Sequence, residues 1–246
     1  MRRSASSSTK PRRSRGHDVT GSRDDNWAKP VNRLEVKSVP EGAKGQTVHG
    51  RRLTGPLQGF GQMWQKTYRV RIDGKNPEEV IAVWKTSYGR FWPKTNRFYA
   101  PIAGIKPGEI GLITGKSGPT KLSTGVMVLY ADDRSFTYIT PEGHPFAGWI
   151  TFSAHDEDDH TIAQVSALIR ANDPMYEVGF MAYGSRAEDK MWLHTLRALS
   201  THLGSKYEPT FERVKVDKKR AWKNFKNIRR NAMLTGMFRR KSKGDV

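Results

Sequence analysis

Between residues 110 and 170 the chain passes through five segments that read as short strands, about 110–114, 122–131, 134–141, 146–155 and 159–170, and a single long helical segment follows them. Their separators include Asp132-Asp133-Arg134 and Asp156-Glu157-Asp158-Asp159, side chains that bond to nearby backbone and so favour turns. Upstream, Met63–Asp73 alternates with Trp64, Tyr68, Val70 and Ile72 on one parity, which predicts another strand ended by Gly74. Asn76 then serves as a helix cap, Pro77 fits the first helical position, and Glu78 and Glu79 face the positive end of the dipole. Val80, Val83, Trp84 and Ser87 carry that helix to Gly89, and residues 93–109 form a Pro- and Gly-rich connection. Asp173-Pro174 opens the last helix in the same way, with Trp192, Leu196, Leu199 and Leu203 on one stripe and Gly204 ending it. Gly179 and Gly184 lie inside it, each about 1 kcal/mol worse than Ala, and mark either a kink or a start after Gly184. Strands and helices segregated in this order predict an α+β fold, an antiparallel sheet with one long helix packed on its concave face.

Charge divides the chain differently. Of the net charge of +19, residues 1–15 carry +6 and residues 213–246 carry +11, which leaves +2 for everything between. Residues 1–56 are rich in Ser, Arg, Gly and Pro, show no sustained period and read as a disordered basic arm. Residues 57–206 then form the folded domain and residues 207–246 a basic, partly helical tail. Within that tail, Asp217–Met237 is compatible with an α-helix that gathers Trp222, Phe225, Ile228 and Met233 on one half of its circumference. The chain has no cysteine, which excludes disulfides and thiol chemistry and fits a reducing, cytoplasmic setting. No apolar run approaches the ~20 residues a membrane span needs.

The element order is similar to the START-like helix-grip (SRPBCC) superfamily, in which a curved sheet wraps a long C-terminal helix around a cavity. Within that superfamily the chain resembles an uncharacterised bacterial and plant family. The resemblance rests on Gly59-Phe60, the strand Trp64–Ile72, Phe136-Thr137-Tyr138, and the turn Pro141-Glu142-Gly143-His144-Pro145 leading to Gly148. It covers roughly residues 57–204. Members of that family carry acidic residues after the turn. Here the segment is Phe146-Ala147-Gly148-Trp149-Ile150, so no role for such carboxylates carries over. The resemblance implies a cavity between sheet and helix, and no activity comes with it.

In such a fold His144 stands near the cavity mouth, where it could donate to a ligand or exchange a proton; alternatively it only shapes the turn with Gly143 and Pro145. Tyr138, Trp149, Trp84, Trp92 and Tyr183 could line an apolar cavity with it, or simply fill the core. His155 and His160 bracket four acids, but the spacing suits a solvated hairpin better than a metal site. The glycine-rich run before Met63 precedes a strand and lacks the setting of a phosphate loop. No nucleophile–base constellation or cofactor motif assembles, so the expected role is binding rather than catalysis. The partner expected in the cavity is an apolar small molecule or lipid. Arg12, Arg13, Lys219, Arg220, Lys223, Lys226, Arg229 and Arg230 are the residues expected to meet a polyanion, either nucleic acid or an anionic membrane surface.

Overall fold

The computed structural model describes residues 23–117 and 120–235. After β1 (Leu53–Thr54) come β2 (Met63–Ile72) and α1 (Pro77–Ser87), then β3 (Arg97–Tyr99), β4 (Ile110–Ser117) and β5 (Thr120–Ala131). The chain continues through β6 (Ser135–Pro141), β7 (Phe146–Glu157), β8 (His160–Ala171), α2 (Pro174–Gly179), α3 (Ser185–His202) and β9 (Thr210–Asp217). The sheet is antiparallel in the order β3-β4-β5-β6-β7-β8-β2-β9, with β1 pairing β6 off this path. A register shift between Val128 and Tyr130 puts a bulge into β5, the device by which long strands bend. The result is the expected α+β fold, a curved antiparallel sheet holding the long helix on one face.

Local chemistry accounts for both helix starts. Asn76 accepts from the Glu79 amide and the Glu79 carboxylate accepts from the Asn76 amide, a complete capping box ahead of Pro77. Asp173 accepts from the amides of Met175 and Tyr176 ahead of Pro174. The helical faces bury Val80 and Trp84 of α1 and Trp192, Leu196 and Leu199 of α3 as the pattern assigns, with Ile81 buried as well and Val83, Ser87 and Leu203 only partly so. They pack on Val70, Ile72, Phe136, Phe152 and Val165 from the sheet.

The expected single helix from Asp173 is broken. Residues Phe180–Gly184 form a π-helical turn, bounded by the two glycines that made the helix suspect, and α3 begins only at Ser185. The connection 93–109 contains β3, which edges the sheet against β4. Residues 27–56, read from sequence as part of the arm, lie against the sheet. Leu34 and Val48 meet Leu112 and Met127 in a second small core. Val126 and Val128 of β5 point into the main core while Met127 between them joins the second. Sheet burial therefore extends to both faces here.

The tail departs most. Residues through Asp217 form β9, which pairs with β2, and Trp222–Arg230 is a 3-10 rather than an α-helix. Tertiary hydrogen bonds decide this. Asn224 Nδ2 donates to the carbonyls of Leu57 at 3.0 Å and Gly59 at 2.8 Å, and Asn227 Nδ2 to those of Gln58 at 2.8 Å and Asn172 at 2.9 Å. With three residues per turn the two asparagines eclipse one another and reach the same groove of backbone. Trp222 and Phe225, also three apart, both meet the Phe60 ring edge-on, with centroids 5.3 and 6.2 Å away. Asn231 Nδ2 then donates to Asp173 Oδ2 at 2.8 Å, and the Ala232 amide to the Gly143 carbonyl at 3.0 Å. The segment is thus a strap laid across one end of the sheet. Gly143, with φ of +83°, lets it pass so closely that a Cβ there would overlap the Arg230 carbonyl.

Candidate ligand cavity

A cavity of about 680 Å³ lies between the sheet and α3. Trp92, Phe98, Tyr138 and Trp192 supply aromatic wall, and Val126 of β5, Ile150 of β7 and Ala167 and Ile169 of β8 supply aliphatic wall. The π turn contributes Phe180 and Gly184, and the strap reaches it through Met233. Tyr138 is fully buried, and its hydroxyl has no hydrogen-bond partner among the described residues. Burial raises its pKa well above the usual phenolic value, so it stays a neutral donor.

Of the side chains expected at a ligand site, the structure brings Tyr138, His144, Trp149 and Trp92 to this one cavity. It does not bring Trp84, which is buried under α1 and meets Phe136 and Phe152 edge-on at 6.2 and 5.3 Å. Trp84 is core, because the buried face of α1 packs on β7 and β8. The Tyr183 side chain lies outside the described residues, and its backbone belongs to the π turn.

His144 is held by its own turn: Nδ1 lies 3.0 Å from both the Phe146 amide, from which it accepts in one tautomer, and the Phe146 carbonyl, to which it donates in the other. Desolvation lowers its pKa to about 4, against a smaller opposing effect of the Phe146 backbone. It is therefore uncharged at neutral pH. A folded pKa below the unfolded value of ~6.5 gives stability that is complete above that value and lost as pH falls toward about 4. Denaturant unfolding between pH 7 and 4.5 should show a steeper loss for the natural chain than for His144→Asn, whose side chain can still accept from the Phe146 amide. Equal slopes would remove this reading of the turn.

The most concentrated polar chemistry went unseen in the sequence. Lys66, fully buried in β2, donates from Nζ to Glu188 Oε2 and Asp189 Oδ1, each at 2.8 Å, and to Ser185 Oγ at 3.3 Å. The Tyr68 hydroxyl donates to Asp189 Oδ1 at 2.6 Å, and the Phe180 ring lies 5.1 Å from the ammonium. Burial raises the pKa of Glu188, with Lys66 opposing. The signal was available, since Lys66 has the parity of Tyr68, Val70 and Ile72 and so points inward with them.

The strap disposes the expected polyanion contacts unequally. Arg220 Nε is 3.1 Å from Glu177 Oε1, and Arg230 pairs with Glu142. Lys219, Lys223, Lys226 and Arg229 are exposed, and no ion pair joins them to a carboxylate among the described residues. Arg12 and Arg13 lie outside the described residues.

No family model and no curated protein matches the chain. Among solved structures, one from Thermobifida fusca is 18% identical, covering 57% of this chain and 93% of that one at a TM-score of 0.42. A Thermus thermophilus protein is 12% identical over 56% of this chain and 96% of that one, TM-score 0.44. The di-domain ARO/CYC StfQ of the steffimycin biosynthetic pathway is 8% identical over 58% of this chain and 52% of that one, TM-score 0.46. These are likenesses of outline only, and the α+β helix-grip arrangement rests on the strand order, register and helix packing of this chain itself.

Proposed function

We propose that the domain binds a small, largely apolar molecule between the sheet and α3. The observation that carries this is a 680 Å³ cavity with aromatic and aliphatic walls into which a few polar groups converge, a buried and unpartnered Tyr138 hydroxyl among them. Pockets of this size and lining suit a ligand of drug or lipid-fragment dimensions. Among the described residues of the cavity wall no nucleophile pairs with a base, and the role we assign is carriage or sensing rather than turnover. Tyr138, Trp92 and Trp149 are the proposed contacts, with His144 at the turn.

A second reading concerns the strap and tails: exposed Lys219, Lys223, Lys226 and Arg229 hold the domain on a polyanion, foremost nucleic acid. It supplements the cavity rather than replacing it.

One preparation tests both. The full chain, purified at low salt, is titrated with the neutral dye N-phenyl-1-naphthylamine, extracted for co-purified small molecules, and assayed for absorbance at 260 nm. The dye should bind at about one equivalent. Ala167→Phe, which places a ring in the cavity from a fully buried position, should weaken it roughly tenfold, about 1.4 kcal/mol. A chain that neither binds the dye nor carries an extractable molecule has no functional cavity. Excess 260 nm absorbance that high salt removes supports the polyanion reading, and its absence at low salt ends it.

A further inference from the structure

Among the described residues that line the cavity, Glu188 is the only carboxylate and there is no lysine or arginine. His144, the other titratable wall residue apart from tyrosines, is neutral at physiological pH. Glu188 belongs to the buried cluster in which one cation, Lys66, meets two carboxylates, Glu188 and Asp189. All three ammonium hydrogens of Lys66 are engaged, by Glu188, Asp189 and Ser185, so none is left for a ligand anion. The other groups facing the cluster include the Tyr68 hydroxyl from β2, which donates to Asp189, the Trp192 indole of α3, which acts on Glu188, and the exposed Arg213 of β9, which acts weakly on Tyr68.

With both carboxylates ionised, the cluster is one positive charge short, in an interior where unbalanced charge is expensive. Burial pushes the Glu188 carboxyl upward and Lys66 only partly offsets this, so a further positive charge beside Glu188 would relieve the imbalance. An anionic ligand headgroup would meet a carboxylate with no cation to receive it. An ammonium would meet Glu188 in a cavity whose wall also holds the rings of Trp92, Trp192 and Tyr138, side chains that attract desolvated cations.

We propose that the cavity selects organic cations, namely molecules with a protonatable amine on an apolar body, and that Glu188 is the group that receives the ammonium. This rests on the cavity reading above. The bound amine supplies the missing positive charge, so binding weakens at a pH low enough to protonate Glu188.

The test displaces N-phenyl-1-naphthylamine from the full chain with dodecylamine, 1-dodecanol and laurate, which share one alkyl chain and differ in charge, at pH 7.5 in 0.15 M salt and below their micellar concentrations. Dodecylamine should compete at least about tenfold better than laurate, equivalent to about 1.4 kcal/mol, with dodecanol between them. The chain's +19 charge favours laurate at the surface, so an amine preference has to come from the cavity. In Glu188→Gln the advantage of amine over alcohol should fall to within about twofold. Laurate equal to or better than dodecylamine in the natural chain overturns the proposal, whether or not the variant folds. So does an unchanged amine-to-alcohol ratio in a folded Glu188→Gln. If the dye itself fails to bind, the cavity reading has failed first, and that outcome is distinct from dye binding with the wrong order of competitors.

Discussion

Lys66→Met lowers the stability of the fold by about 3–5 kcal/mol, the penalty for removing one partner of a buried ion pair and leaving the other charges inside. Lys66 is fully buried, and Glu188 and Asp189 are less than a tenth exposed. Methionine matches the length of the lysine stem, so volume changes little and the loss is electrostatic. Protonating one carboxylate relieves part of it, and the deficit should therefore shrink at lower pH. Replacing all three groups together, as Lys66→Met with Glu188→Gln and Asp189→Asn, should recover much of the loss, because the amides keep the shape without the charge. The check is the urea midpoint at constant m-value, and for a domain of this size each kcal/mol corresponds to roughly 2–4 °C in Tm. A loss below about 1 kcal/mol would mean that water or a rearrangement reaches the cluster, and the charge-balance argument for Glu188 would lose its basis.

Trp84→Ala is expected to cost about 3–5 kcal/mol by a different route, loss of a large buried side chain together with the void it leaves. Its indole is completely buried and packs edge-on against Phe136 and Phe152, which stack on each other at 4.8 Å. Because Trp84 does not line the cavity, affinity for N-phenyl-1-naphthylamine in the folded fraction should be unchanged. Trp92→Ala, by contrast, removes cavity wall and should alter dye binding. If Trp84→Ala weakened the dye as much as Trp92→Ala, the division between core and cavity drawn here would be wrong.

The contrast between these two tryptophans shows where sequence reading stops. Both were read as aromatics that line a cavity or fill the core, but which of the two each one does depends on how α1 and α3 pack on the sheet, and no local pattern encodes that. The helix starts were legible because Asn76, Pro77 and Asp173 act on neighbours within a few residues. So were the strands of the meander, whose partners follow them directly. The packing of Leu34 and Val48 was not, since Leu112 and Met127 lie far along the chain and two isolated apolar residues carry no period. In the strap, Trp222, Phe225 and Ile228 fit a spacing of three as well as one of 3.6, and the hydrogen bonds of Asn224 and Asn227 to distant carbonyls made the choice. Glu188 was missed because α3 was read only for its apolar stripe.

The placement of β2 between β8 and β9 bears on how the chain is made. β2 is formed early, yet Arg69 and its cross-strand partner Gln164 are 95 residues apart, and β9 comes later still. During synthesis, therefore, an amphipathic strand waits with both edges open, the condition in which nascent chains join one another instead of folding. Lys66 sits near the middle of its apolar side, with Arg69 and Arg71 following. Until the acids of α3 emerge to neutralise it, that lysine works as a gatekeeper against self-association. A change such as Lys66→Met would then reduce soluble yield from the ribosome by more than its effect on the finished fold accounts for.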